Sequence, residues 1–147
     1  MTWRNWLKEG RIEAHAPAPA ELVAQRRAAE RALKDASLAG LSPEGRFQLA
    51  YGAALDLATI AVRASGYRIK SRVGHHQLTF EAAGIALGAL ARETVDYFDL
   101  CRRRRNVISY EGDEVGQALA DELLVETSQF AETIDRWLRA EHPGITE

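Results

Sequence analysis

The chain has 147 residues, 46% of them hydrophobic and 27% charged, with a net charge of −2. It is long enough for one hydrophobic core and too apolar and too nearly neutral for an intrinsically disordered chain, and four prolines and 11 glycines exclude collagen-like or low-complexity material. The single cysteine, Cys101, excludes an intramolecular disulfide framework and a multi-cysteine zinc site, and fits a reducing compartment.

The opening residues Met1-Thr2-Trp3-Arg4-Asn5-Trp6 lack the apolar run of a signal peptide, and residues 3 to 9 suit a short helix. His15-Ala16-Pro17-Ala18-Pro19-Ala20 reads as a linker, because proline removes a donor and pushes its predecessor to extended backbone. A helix is predicted from near Pro19 to about Ala39, with Leu22, Arg26, Ala29, Leu33 and Ala36 on one face and Gly40 as its stop. The next begins with Ser42 as N-cap, Pro43 at the first helical position and Glu44 at the positive end of the dipole. Phe47, Tyr51, Ala54, Ala58, Ala61, Val62 and Ser65 follow at helical spacing until Gly66.

Residues 67 to 74 read as a basic loop, and His75-His76 opens a third helix through the apolar stretch 78 to 90. The longest apolar run, Ala82 to Ala91, has about half the length that a membrane span needs. A fourth helix is predicted from about Arg92 to Ile108, with Val95, Phe98, Cys101, Arg105 and Ile108 on one face. Glu111-Gly112-Asp113 reads as a turn, with Asp113 as an N-cap, before a last helix that ends near Pro143. That helix turns Val115, Leu119, Leu123, Phe130, Ile134 and Trp137 inward, with a slip in spacing between Leu123 and Phe130 that suggests two faces. No segment alternates as a strand, and there is no internal repeat. The expectation is one all-α domain over residues 1–147, an antiparallel four- to five-helix bundle with its core at about 20–142 and residues 1–18 as an N-terminal extension. No membrane contact and a cytoplasmic location are expected with it.

Charge is uneven along the chain. Of the 19 Lys and Arg, only Arg136 and Arg139 follow Tyr110, whereas ten of the 21 Asp and Glu do, so the first 110 residues carry +6 and the last 37 carry −8. Positive charge is densest at Arg102 to Arg105 and along Arg63, Arg68, Lys70 and Arg72. Such a bipolar chain can meet a polyanion on one side or its own opposite face in a dimer.

The motifs of several enzyme classes are absent: no P-loop, no G-x-G-x-x-G after a strand, no G-x-S-x-G and no H-E-x-x-H. His75 and His76 are adjacent and point about 100° apart on a helix, which does not suit a shared metal, so neither metal nor cofactor is expected. Cys101 on an apolar face reads as a buried, inert thiol.

The segment that calls for chemistry is Arg102-Arg103-Arg104-Arg105-Asn106, followed by Tyr110. Four successive arginines cover about 300° of a helix, so at least one must point inward or along a seam. By phase with Phe98, Cys101 and Ile108 that residue is Arg105, while Arg102 and Arg103 are expected off that face. An inward guanidinium stays charged and needs a partner or an anion. Asn106 can donate and accept, and Tyr110 lies where its hydroxyl reaches the same end of the helix. A buried polar network that fixes the bundle is the structural alternative for Arg105-Asn106.

These residues resemble the HEPN domains, the higher eukaryote and prokaryote nucleotide-binding helical bundles. The resemblance spans about residues 45 to 140 and is carried by Ala50-Tyr51, by Gly66-Tyr67-Arg68 with His76 after it, by Arg105-Asn106 with Tyr110, and by Trp137 to Pro143. It implies a helical bundle that pairs across a twofold axis so that two motifs share one cleft. It also implies a metal-independent ribonuclease, of the kind that serves as the toxin of a toxin-antitoxin or phage-defence pair beside an antitoxin or nucleotidyltransferase. On that reading Arg105, Asn106 and Tyr110 are the catalytic set, and Arg102, Arg103, Arg104, Arg68, Lys70 and His76 bind nucleic acid. The family's histidine falls at Tyr110, the Arg-Asn…Tyr form of the motif, and a tyrosine with an ordinary pKa near 10 is a poor base at pH 7. The second expectation is therefore a non-catalytic dimeric bundle whose cleft binds nucleotide, RNA or a partner protein.

Overall fold

The computed structural model describes residues 2–70, 72–111 and 115–145, with the backbone alone at 90, 108–111 and 145. Six α-helices lie among the described residues: α1 (Trp3–Lys8), α2 (Pro19–Ala36), α3 (Pro43–Ala64), α4 (His75–Leu87), α5 (Arg92–Glu111) and α6 (Gln117–Glu141). The expected all-α bundle is what the chain forms. No described helix is long and apolar enough to cross a membrane.

Helix α3 is the centre, packed against α2, α4 and α6. Ser42 starts it as expected, its hydroxyl accepting from the Gly45 amide at 3.0 Å, with Pro43 pre-set for the first turn. Ala50, Ala53, Ala54, Ala58 and Ala61 are all fully buried. These small side chains fall within about 140° of the helix surface and let the neighbouring helices approach closely. Large rings fill the space between helices: Phe80 of α4, Phe98 of α5 and Phe130 of α6 form a chain with centroids 5.7 and 5.1 Å apart. Each such ring contributes about 1.5–3 kcal/mol through burial.

The expected slip on α6 does not split its face. Buried Thr127 sits between Leu123 and Phe130, so the inward row 123, 127, 130, 134, 138 is continuous. The N-cap expected at Asp113 lies outside the described residues; α6 starts after Gly116. Helix α2 stops at Ala36 rather than Ala39, and α5 runs on to Glu111. Gly88, at φ 74°, breaks α4 from a short 3-10 turn over Gly88–Ala91 that leads into α5.

The expectation of no strand is overturned. Strand β1 (Ile12–Ala14) pairs antiparallel with β2 (Tyr67–Ile69), Ile12 opposite Ile69 and Ala14 opposite Tyr67. Part of the expected basic loop at 67 to 74 is thus a strand. Three residues are too few to show a period of two, and the pairing joins segments about 55 positions apart, which local pattern cannot reveal. The pair ties residues 2–14 to the bundle. Trp6, Ile12, Val62 and Ala82 form a second small core there, with Trp3 stacked on Tyr67 at 4.7 Å.

Candidate functional site

Gly74 caps α4 in the left-handed region at φ 67°, which any side chain would strain, and so sets His75 and His76 at the helix start. Opposite them run the third and fourth turns of α5. Between the two lies an open pocket of about 270 Å³ lined by Arg72, Gly74, His75, His76, Gln77, Arg102 and Asn106. Two stretches separated in sequence, the start of α4 with the loop that leads into it and the middle of α5, thus contribute two guanidiniums, two imidazoles and two amides.

Arg102 is half-buried and its Nε donates to Asp99 Oδ1 at 2.8 Å, one turn back on the same helix. This differs from the expectation that it lies off the inward face. At 100° per residue Arg102 stands only about 40° from Phe98 and Asn106 about 80°, on one side of it. The two residues therefore share the edge of the buried face, where α5 meets α4. Arg103, about 140° away, is exposed and reaches Asp99 only at 3.5 Å. Arg104 is exposed on the far side.

Arg105 points inward, as its phase predicts, but into the seam beneath the pocket. Its Nε donates to Gln48 Oε1 at 3.3 Å, and its guanidinium carbon lies 5.2 Å from the centroid of the Tyr51 ring. Tyr51, 2% exposed, shares a hydrogen bond of 3.0 Å between its hydroxyl and His76 Nδ1. A chain of contacts therefore runs Gln48–Arg105–Tyr51–His76 and ends at the pocket.

Burial pushes the Tyr51 hydroxyl up to about 12, against the pull of Arg105 and Arg102. His76 is held below its ordinary 6.5, first by burial and then by Arg105, His75 and Arg102, all of which oppose a second positive charge. Both groups are therefore neutral at pH 7. Burial, aided by Glu122 and Glu126, also pushes the Cys101 thiol up to about 11, in keeping with an inert, buried cysteine.

The remaining basic residues lie apart. Arg68 on β2 is ion-paired with Glu13 of β1, and it lines a small separate recess that shares only His75 with the pocket. Lys70 is exposed just beyond β2. The side chain of Tyr110 lies outside the described residues. Of the residues singled out in the sequence, the fold brings together Arg102, Asn106 and His76, with Arg105 behind them. Gln48, Tyr51, Arg72 and His75 complete the site. Tyr51 already had the right helical phase, and Arg72 belonged to the basic stretch, but which helix faces which is invisible along the chain.

No described group of His, Cys, Asp and Glu could hold a metal ion. No family model, curated protein or solved structure matches the chain.

Proposed function

We propose that this chain is a HEPN-like RNA-interacting protein that grips the phosphate backbone in the pocket between α4 and α5. The observation that carries the reading is the convergence of Arg72, Arg102, His76 and Asn106 on one open pocket. Arg102 is held by Asp99 in a fixed pose, so its remaining guanidinium hydrogens are pre-set for an anion. Asn106 is exposed and offers both a donor and an acceptor to a sugar or base edge. Exposed Arg103 and Arg104 extend the positive field along α5 and supply counterion release rather than recognition. The resemblance in Arg105-Asn106 and Tyr110 supports RNA as the polyanion.

Cleavage of that RNA without metal, as a toxin held in check by a cognate antitoxin or a nucleotidyltransferase, is the second reading. It is favoured by a neutral imidazole beside two guanidiniums, donors that can stabilise the charge of a phosphorane-like transition state.

The two readings part in one set of assays. Wild type, Arg102→Ala, Arg105→Ala and Tyr110→Phe are mixed with single-stranded RNA in EDTA, and both binding and cleavage are followed. Binding that falls about tenfold in Arg102→Ala, with no cleavage by any form, establishes the binder. Cleavage by wild type that Tyr110→Phe abolishes establishes the nuclease, and growth arrest on expression, relieved by Arg105→Ala, makes it a toxin. No RNA binding by wild type overturns both.

A further inference from the structure

Tyr51 and His76 allow a finer statement about how the pocket meets its ligand, one that rests on the RNA-phosphate reading above. The Tyr51 hydroxyl is buried, and His76 Nδ1 at 3.0 Å is its one hydrogen-bond partner among the described residues. A phenol carries one hydrogen. If Nδ1 bore the imidazole proton, it would donate to the Tyr51 oxygen, and the hydroxyl hydrogen would be left buried without an acceptor. If Nδ1 is bare, it accepts that hydrogen and both groups are satisfied. The ring proton then sits on Nε2.

We propose that Tyr51 locks His76 in the Nε2–H form, so that His76 gives the pocket a neutral hydrogen-bond donor for a phosphate oxygen rather than a base. Tyr51 is a positioning residue, and Arg105 holds it in turn, its guanidinium over the Tyr51 ring and its Nε on Gln48. The groups facing His76 reinforce the arrangement. Arg105 and Arg102 come from α5, and His75 from α4 itself; all oppose a charged imidazole. Arg72, from the loop before α4, lines the same pocket. Protonating Nδ1 would also remove the acceptor that the Tyr51 hydroxyl needs. The site therefore pairs permanent charges from arginine with one donor whose charge does not change near neutral pH. That combination fits a phosphodiester, which carries a single negative charge at every physiological pH and asks for donors rather than for a titrating group.

The test has two independent readouts on the full chain. Long-range proton–nitrogen correlation spectra of the imidazole, taken near pH 8, above the ordinary histidine pKa of about 6.5, show which nitrogen of His76 carries the proton. The expected result is Nε2–H in wild type and an upward move of the His76 titration in Tyr51→Phe, which frees Nδ1 to accept a proton. The second readout is binding of a 2′-O-methylated single-stranded RNA, which cannot be cleaved through its 2′ oxygen, at the same pH. His76→Ala should bind about tenfold more weakly, the loss of one donor to a charged acceptor, and should still unfold cooperatively, at a lower temperature because the Tyr51 hydroxyl loses its acceptor. A proton on Nδ1, or a His76 titration unmoved by Tyr51→Phe, overturns the lock. RNA binding equal to wild type in His76→Ala overturns the donor role. Absence of RNA binding by wild type removes the ligand class together with the proposed function, while the spectra still decide the tautomer.

Discussion

At the residue scale, position on α5 separates arginines that composition cannot tell apart. Arg102 is half-buried, pinned to Asp99 and lines the pocket, whereas Arg103 is exposed and only loosely paired. Arg103→Ala is expected to lower RNA affinity about twofold at low salt and to lose that effect as salt rises, and Arg102→Ala about tenfold with a residue that survives salt; a binding isotherm series over ionic strength checks both. His76 gives a pH signature. Its folded pKa lies below 6.5, so between the two values the unfolded chain binds more protons and stability falls as pH falls. Asp56 works in the opposite sense, since burial raises its carboxyl, but its window starts at the acid end, above 3.8. The difference between wild type and His76→Gln isolates the imidazole: the wild-type unfolding temperature should drop more than that of the variant as pH is lowered through 6.5. Cys101, 2% exposed with its thiol pushed up to about 11, should react with a thiol reagent slowly in the native state and fast once unfolded.

At the element scale, α6 shows what a helical row needs in order to stay unbroken. Its inward row passes through Thr127, which is fully buried and whose hydroxyl has no hydrogen-bond partner among the described residues. Apolar patterning passes over this position because threonine counts as polar, and that omission produces the apparent break in the row. Burying an unpaired hydroxyl carries a cost of about 1–3 kcal/mol, and valine has nearly the same shape. Thr127→Val should therefore raise stability by about 1 kcal/mol, read as a higher midpoint in chemical denaturation with an unchanged slope. The β1–β2 pair is the opposite case, since neither strand has a pattern of its own. Its existence rests on Gly66, at φ 96°, turning the chain from α3 back alongside residues 12–14.

At the scale of the whole molecule, the charge asymmetry of the sequence leaves basic and acidic groups exposed on different helices. Arg103 and Arg104 are exposed on α5 beside exposed Leu100, while Asp121, Glu122 and Glu132 are exposed on α6. A second copy can bring the basic face of one α5 against the acidic α6 of its partner. A homodimer is the expected state at micromolar concentration, measured by light scattering, and it should weaken with salt and with Leu100→Glu. A monomeric mass there would remove the shared-cleft arrangement and leave each pocket to act alone.

Composition and the 3.6-residue period were enough to specify an all-α fold, the starts of α2, α3 and α4, the burial of Cys101 and the inward turn of Arg105. Those properties are local: a cap, a glycine or a phase along one helix determines each of them. Only the tertiary structure decided that Arg105 lies beneath the pocket rather than in it, that Arg102 and Asn106 meet His76, and that Tyr51 bonds its ring. Those facts depend on how α3, α4 and α5 pack, and helix packing is governed by the shapes of surfaces far apart in the chain. The same four arginines would read identically in sequence whichever neighbour α5 had met.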